Sequence, residues 1–166
     1  TTAIEKQSSK EYRYIIGRTN DRYIRNGFIY LKSKVQVEEI DHYNRYVVPT
    51  LNKHAPTRRF VRGPLGVLVA VKDSAMVSAQ KFYVIAFHFK SRVDGWKDLS
   101  QTSYEVDRVE TADALREIVV ERQRELGTNV PIVVLGDRNS DTTDASVDVL
   151  KGEVRLNDFR TGCRVS

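Results

Sequence analysis

Residues 131–140, PIVVLGDRNS, decide the fold, because a short apolar run there ends abruptly in a polar loop. Residues 132–135 are all aliphatic, which is typical of a strand that other parts of the protein cover. The run stops at Gly136, and Asp137 and Asn139 follow directly. The segment therefore predicts a strand that delivers polar side chains to one end of a sheet.

A helix is predicted immediately before this strand. Thr102 and Glu105 form a capping box at its start, and Gly127 ends it. Apolar residues recur between them at three- and four-residue spacing: Val106, Val109, Ala112, Leu115, Ile118 and Val119. We expect the charged face to be exposed, and it carries Asp107, Arg108, Glu110, Asp113, Glu117, Glu121 and Arg124.

Five further strands are predicted from alternating or continuous runs of β-branched and aromatic residues, at residues 12–16, 27–31, 35–37, 67–71 and 82–89. The second and third are so close in the chain that we expect them to pair as a hairpin. At least one strand-helix-strand unit is present, so the fold class is α/β with largely covered sheets.

The composition fits one globular domain over residues 1–166, with 40% hydrophobic and 30% charged residues. A single cysteine, Cys163, excludes an internal disulfide framework and a cysteine-rich zinc module. No apolar run approaches the roughly 20 residues that cross a bilayer, and no signal-peptide pattern opens the chain. The composition leaves the cellular compartment undetermined.

Charge is unevenly distributed. Residues 42–93 contain nine Lys/Arg and one acid, whereas residues 94–144 contain six Lys/Arg and twelve acids. Within the first block, residues 42–63 form a basic segment that carries Arg45, Lys53, Arg58, Arg59 and Arg62, interleaved with Tyr43, Tyr46 and Phe60. Cations beside flat rings suit nucleic acid, and Arg58 and Arg59 are candidate substrate-binding residues. Two other interpretations stay open: a solvated basic face, and aromatics that anchor the loop on the core.

Reactive side chains occur where two predicted strands end. His88 is the one residue within residues 82–89 that titrates near neutral pH, and on such a face a histidine is more often a core residue than a catalytic one. Asp137 and Asn139 change that balance, since a carboxylate can orient or deprotonate water and an amide can donate to a phosphate oxygen. Together they fit hydrolysis of a phosphoester.

These segments resemble the endonuclease/exonuclease/phosphatase superfamily, which has the DNase I-like fold. Residues 88–91 (HFKS) resemble the family's H-L-K-S, and residues 133–140 resemble its V-L-G-D-F-N-S. Residues 25–30 resemble a family strand, and residues 108–115 resemble the helix between the two motifs. The resemblance covers roughly residues 12–159 and implies a four-layer α/β sandwich of two mixed sheets flanked by helices.

The resemblance also implies roles for individual residues. His88 would contact the scissile phosphate, Asp137 would orient or activate the attacking water, and Asn139 would hold both in register. Lys90, Ser91 and Arg92 would line the rim of the site. The family uses Mg²⁺ or Mn²⁺, for which Asp137 and Asn139 would be ligands.

Three departures from the family pattern qualify this expectation. Arg138 stands where the family has an apolar or aromatic residue. The family's N-terminal Asn strand with its Q-E segment, and its terminal Ser-Asp-His motif, have no match. We therefore expect the chain to be the central part of a larger domain, or a short relative that has lost its metal ligand. Either way we expect weak or no hydrolysis by this chain alone, and pairing of exposed sheet edges into homo-oligomers.

Other site types fit less well. Residues 137–148 partly match an EF-hand calcium loop but have Thr142 where glycine is needed. No G-x-S-x-G elbow or phosphate-binding P-loop motif occurs, and His42, His54 and His88 are too scattered for zinc. The main alternative is a non-catalytic module that binds nucleic acid or a protein partner. Within the enzyme interpretation, the basic block at residues 42–93 favours a nuclease over a phosphatase, and we expect no membrane partner.

Overall fold

The computed structural model describes residues 11–72, 80–92 and 104–161. These residues form eight strands and three α-helices, with a short 3-10 helix at Tyr43–Arg45. The strands are β1 (Tyr12–Ile16), β2 (Gly27–Leu31), β3 (Val35–His42), β4 (Val47–Val48), β5 (Arg58–Arg59), β6 (Leu65–Val71), β7 (Gln80–His88) and β8 (Ile132–Asp137). The helices are α1 (Glu105–Leu126), α2 (Ala145–Lys151) and α3 (Leu156–Thr161).

A four-stranded mixed sheet with the order β3-β6-β7-β8 forms the centre of the described structure. The strands β3, β6 and β7 are antiparallel neighbours, whereas β7 and β8 run parallel. The parallel pair is joined through α1, which confirms the predicted strand-helix-strand unit. Two small ribbons, β1-β2 and β4-β5, complete the α/β fold.

The core lies between α1 and one face of this sheet. Tyr83, Ile85 and Phe87 alternate along β7 toward the helix, and each is 6% exposed or less. They pack with the predicted apolar positions of α1, namely Val109, Ala112, Leu115 and Ile118. Full burial of one such aliphatic side chain stabilises the fold by about 1.5–3 kcal/mol.

The predicted hairpin between β2 and β3 is wrong. All five residues of β2 pair with β1, from Tyr12 opposite Leu31 to Ile16 opposite Gly27. The strand β3 instead pairs with β6 in the larger sheet. A tight turn, closed by the bond from the Lys34 N–H to the Leu31 carbonyl, passes the chain from one sheet to the other. A short connection thus limits the distance between two strands without determining their partners.

The helix α1 is confirmed with Gly127 at its end, but part of its charged face is buried. Arg108 is 1% exposed and Glu110 is 6% exposed, which contradicts the expected exposure of both. Arg108 pairs with Glu105, and Glu110 pairs with Arg58 of β5, so each charge is compensated inside the fold. Thr102 of the predicted capping box lies outside the described residues.

The second face of the central sheet is covered unevenly. One row of register partners crosses the four strands and consists of Ile40, Val67, Val84 and Val133. Val67 in the middle is 2% exposed, while Ile40 and Val133 at the two edges are 43% and 42% exposed. The strand β8, predicted to be covered, is therefore open on this face.

In the described part of the chain, no helix combines the length and the apolar character that crossing a membrane requires.

Candidate active site at the ends of β7 and β8

The parallel pairing of β7 and β8 brings His88 and Asp137 together. The two residues are register partners at the carboxyl ends of their strands. His88 Nε2 lies 3.8 Å from Asp137 Oδ2. The Phe89 N–H also donates to the Asp137 carbonyl at 2.9 Å, so the backbone pairing continues past the last pair of side chains. Two groups almost fifty residues apart in the sequence thus share one sheet edge.

The loop after β8 turns back on itself and adds Asn139 to the site. Asp137 Oδ1 accepts the backbone N–H of Asn139 at 2.9 Å, and Asn139 takes a left-handed conformation (φ 50°), which asparagine tolerates well. Its Nδ2 donates to the Phe89 carbonyl at 3.0 Å, which ties the loop to the end of β7. Arg138 folds over the same loop, where its Nε donates to the Ser140 carbonyl.

Arg62 and Asp21 extend this network, and the sequence analysis missed both as site residues. Arg62 Nη1 donates to the Phe89 carbonyl at 3.0 Å, so this oxygen accepts from both Arg62 and Asn139. Arg62 Nε lies 3.3 Å from Asp21 Oδ2. Backbone N–H groups of Tyr23 and Ile24, together with Arg62, lower the pKa of Asp21 to about 2. In the sequence Arg62 is one cation of the basic segment, and its burial has no local sequence signal.

The histidine lies in a partly buried, electropositive setting. Its side chain is 26% exposed, and burial lowers its pKa. The nearby Arg62 guanidinium lowers the pKa further, while the Asp137 and Asp21 carboxylates oppose the shift. The neutral imidazole is therefore favoured near pH 7, and it offers one N–H donor and one acceptor nitrogen.

An open cleft of about 580 Å³ lies over the β8 loop. It is lined by Arg92 and by residues 136–141, and the Asp137 side chain is 63% exposed in it. His88 borders a separate cavity of about 20 Å³, together with Arg62 and Lys90. Asp137 and Asn139 are thus accessible to a ligand, with His88 beside them.

The predicted rim residues are partly engaged within the protein. Arg92 forms an ion pair with Asp141. Lys90 Nζ lies 4.4 Å from the centroid of the Tyr104 ring, and the Ser91 carbonyl accepts from Arg108. All three residues follow β7 directly and stay near the site.

Arg58 is a structural cation in this fold. Its guanidinium lies 2.7 Å from Asp107 Oδ2 and 2.5 Å from Glu110 Oε2, at the interface of β5 and α1. Burial raises the pKa of Asp107, and Arg58 opposes that shift. Its neighbour Arg59 is exposed and points elsewhere, beside Asn20 and Val61. A substrate-binding role for either arginine stays a prediction.

The aromatic residues of the basic segment anchor it to the core. Phe60 is 3% exposed, and the Tyr46 ring packs against it at 6.3 Å between centroids. The Tyr43 hydroxyl bonds to Tyr83, and the Tyr46 hydroxyl donates to Glu121. Of the interpretations left open by the sequence, anchoring of the loop on the core is observed for the aromatic residues. The segment's solvent-facing cations are Arg45, Lys53 and Arg59.

The donor set at the site suits only a hydrated metal ion. Asp137 and Asn139 offer a carboxylate and an amide oxygen on an open surface. Across residues 11–72, 80–92 and 104–161, no three His, Cys, Asp or Glu side chains come together as a metal cluster. Mg²⁺ often keeps several waters and binds one or two carboxylates plus substrate phosphate, so these two residues fit such an ion in part.

Solved structures share this arrangement of strands and helices. The catalytic domain of human Nocturnin, solved with a bound sulfate anion, matches 82% of this chain at 13% identity with a TM-score of 0.59. Humanized TDP2 from D. rerio matches 90% of the chain at 19% identity with a TM-score of 0.52. The chain covers 46% and 47% of these two structures, or about half of their length.

Both structures belong to the endonuclease/exonuclease/phosphatase superfamily, so the chain has the α/β, DNase I-like fold that the motifs indicated. No protein-family model matches the sequence. No curated protein matches it either.

Proposed function

We propose that this chain, with the fold of the endonuclease/exonuclease/phosphatase superfamily, carries the phosphoester-hydrolysing centre of a larger domain. One observation carries the proposal: His88 Nε2 lies 3.8 Å from Asp137 Oδ2 at the carboxyl ends of two parallel strands. Ligands of open α/β sheets bind at that end of the strands. An imidazole and a carboxylate held there on rigid strands suit proton transfer and phosphate binding.

Each residue has a task in this reaction. Hydrolysis forms a bond from the water oxygen to phosphorus and breaks the bond from phosphorus to the leaving oxygen. The exposed Asp137 carboxylate orients that water and accepts its proton, and His88 donates a hydrogen bond to a phosphate oxygen. Nδ2 of Asn139 donates one hydrogen to the Phe89 carbonyl, so its second hydrogen is available to donate to the phosphate.

A divalent cation completes the chemistry of this class. When bound, Mg²⁺ neutralises charge on the phosphate and lowers the pKa of the attacking water. Asp137 and Asn139 would hold it from this chain. Two oxygen donors make a weak site, which agrees with the expectation that the chain alone hydrolyses its substrate slowly or not at all.

A nucleic-acid substrate is favoured over a small phosphomonoester. The chain carries a formal net charge of +5, and Arg45, Lys53 and Arg59 face solvent from the basic segment. A polymer can use such dispersed cations through several phosphates at once. Duplex DNA should therefore bind with an affinity that falls steeply with salt, and a sugar phosphate should show no such dependence.

Substitution of Asp137 tests the hydrolytic centre. With Mg²⁺ and duplex DNA present, Asp137→Asn should lower any cleavage rate by at least about 100-fold, since it removes the proton acceptor but keeps the shape. Gel analysis of cleaved products gives the rate. The control Glu153→Gln makes the same change of charge at an exposed carboxylate and should leave the rate unchanged. Equal cleavage by the wild type and Asp137→Asn would refute the assignment of Asp137.

A non-catalytic module that binds nucleic acid or protein is the second candidate. The observation in its favour is that no three His, Cys, Asp or Glu side chains of the described residues come together to hold a metal ion. In that case Asp137→Asn should leave DNA affinity unchanged, and no Mg²⁺-dependent cleavage should occur even at high protein concentration. Fluorescence anisotropy with labelled DNA, run beside the cleavage assay, separates the two functions.

A further inference from the structure

A second cleft, of about 560 Å³, lies on the helical side of the molecule. The last three turns of α1 and the helix α3 line it, together with Pro49. Four arginines line it, Arg116, Arg124, Arg155 and Arg160. Arg116 and Arg124 lie about 16 and about 28 Å along the helix axis from Glu105, which is at the end of α1 near the β8 loop. The cleft is thus separate from the candidate active site.

Two of these guanidinium groups are held in place by the fold. A Cβ on Gly152 would lie 1.9 Å from the Arg116 guanidinium, so Arg116 lies flat against the backbone at the end of α2. Arg160 Nη1 donates to Asn157 Oδ1, and its Nη2 donates to the Thr50 carbonyl. Arg160 Nε is buried without a hydrogen-bond partner among the described residues. Such preorganisation lowers the entropy cost of binding a ligand.

The acidic residues of the cleft do not neutralise the arginines by direct pairing. Asp113 accepts a hydrogen bond from the Leu156 backbone, and Glu121 accepts one from the Tyr46 hydroxyl. Burial raises the pKa of both Asp113 and Glu117, and the Arg160 and Arg116 guanidinium groups oppose the shift at Asp113. Within the described residues, no carboxylate lies within ion-pair distance of Arg116, Arg124 or Arg155. Three guanidinium groups therefore remain available to a ligand.

We propose that this arginine cleft binds a phosphate monoester. A guanidinium group pairs with phosphate oxygens through two parallel hydrogen bonds, and several converging guanidinium groups suit a dianion. A volume near 560 Å³ is typical of small-ligand sites. Three carboxylates, those of Asp113, Glu117 and Glu121, reduce the net positive charge of the cleft. A compact dianion that reaches the guanidinium groups directly is therefore favoured over a diffuse polyanion.

A phosphate monoester has two possible sources, the phosphorylated end of a nucleic-acid strand and a small phosphorylated metabolite. An NMR titration of the isotope-labelled 166-residue chain separates them. The probes are inorganic phosphate, a hexose phosphate, and one short oligonucleotide with and without a 5′-phosphate. We expect saturable shifts of arginine side-chain resonances in the cleft for every probe that carries a monoester.

The two oligonucleotides and the hexose phosphate then assign the source. Tighter binding by the 5′-phosphorylated strand than by the hexose phosphate indicates a strand end, and the reverse indicates a metabolite. Equal shifts of the cleft arginine resonances by both oligonucleotides, with no such shift from the hexose phosphate, would overturn the proposal, because the monoester would then contribute nothing.

Variants locate the site. Arg116→Gln and Arg155→Gln should each weaken phosphate binding about tenfold, the effect expected for one charge-assisted hydrogen-bonded pair. Arg22→Gln removes the same charge from an exposed position outside both the cleft and the basic segment and should have little effect. Arg155 is exposed, so its variant remains informative if Arg116→Gln perturbs folding at Gly152.

Asp137→Asn distinguishes this proposal from the hydrolytic function. Phosphate binding in the arginine cleft should persist in that variant whether or not cleavage is lost. Three results would overturn the proposal: no saturable binding in the millimolar range, equal weakening by Arg22→Gln, or shifts confined to the β8 loop.

Discussion

At the scale of single residues, Arg62 organises the candidate active site. It links the loop that contains Asp21 to the carbonyl of Phe89, and the same carbonyl receives Asn139. His88 lies between these contacts on β7, directly before Phe89. Arg62 and Asn139 thus share one acceptor, the Phe89 carbonyl, beside the carboxylate of Asp137.

Replacing Arg62 should destabilise the fold. Arg62→Met should cost about 2 kcal/mol in the free energy of unfolding, because Asp21 loses its cation and the Phe89 carbonyl loses one donor. Urea denaturation followed by circular dichroism measures the change. Arg45→Met removes an exposed arginine and should change the free energy by less than about 0.5 kcal/mol. Similar losses in both variants would show that the Arg62 contacts are not stabilising.

Asp21 gives the stability a dependence on pH. Its folded pKa of about 2 lies below the ordinary 3.8, so ionised Asp21 stabilises the folded state. This contribution, at most about 2 kcal/mol, is fully present above about pH 4 and is lost as the pH falls toward 2.

Unfolding by urea at pH 7 and near pH 2 tests this dependence. Asp21→Asn should be less stable than the wild type at pH 7, and the difference should shrink near pH 2. The control Glu153→Gln alters an exposed carboxylate outside this network. A difference between wild type and Asp21→Asn that is the same at both pH values would contradict the assignment.

At the scale of elements, the close contact of β7 with β8 requires glycine at position 136. A Cβ there would lie 2.0 Å from the Phe87 carbonyl oxygen and 2.8 Å from its carbon. Both are backbone atoms of the neighbouring strand, so neither can rotate away. The sequence pattern V-L-G-D thus has a structural reason for its glycine one residue before the carboxylate.

Gly136→Ala should cost about 2–3 kcal/mol, since the strands must separate to admit the methyl group. It should also move Asp137 away from His88 and abolish phosphate contacts there. Gly127→Ala is the matched control: nothing lies within 4 Å of its Cβ, and only the positive φ of 75° opposes the change. We expect a cost of about 1 kcal/mol in the control, again from urea denaturation. A smaller cost for Gly136→Ala than for Gly127→Ala would refute the close-contact argument.

The helix α1 has two chemically different halves. Its first half is fixed to β5 by the ion pairs of Asp107 and Glu110 with Arg58, and Arg108 pairs with Glu105 within the helix. Its second half carries Arg116 and Arg124 into the arginine cleft. One helix therefore supports the candidate active site at its start and the proposed phosphate site near its end.

At the scale of the whole molecule, the central sheet has open edges and an open face among the described residues. The strands β3 and β8 each have one strand neighbour, and Val133 and Leu135 on β8 are 42% and 46% exposed. Apolar surface on an edge strand favours pairing with another chain. We therefore expect the isolated chain to self-associate.

Sedimentation velocity over a range of concentrations tests this expectation. The wild type should form dimers or larger species, and Leu135→Lys should shift the population toward monomer. The control Val106→Lys places the same charge on an exposed valine of α1 and should not. A clean monomer at high concentration in the wild type would contradict the open-edge argument.

The sequence alone predicted the elements that depend on local periodicity. The strands β1, β2, β3, β6, β7 and β8 and the helix α1 were identified, because alternation, β-branching and three-to-four spacing involve residues close in the chain. The order of the short motifs along the chain indicated the superfamily fold, because each motif is a local pattern of residues. It also marked His88, Asp137 and Asn139, since each lies at a strand end.

Only the tertiary structure decided which strands pair and which charges are buried. The strand β2 joined β1 and left β3 to β6 because pairing depends on the whole sheet and not on the length of a connection. The sequence does not distinguish the exposed arginines from those with an acidic partner inside the fold. Such a partner holds Arg58, Arg62 and Arg108. The partners of Arg58 and Arg62 lie about 50 and about 40 residues away, and a distant carboxylate leaves no trace in local sequence.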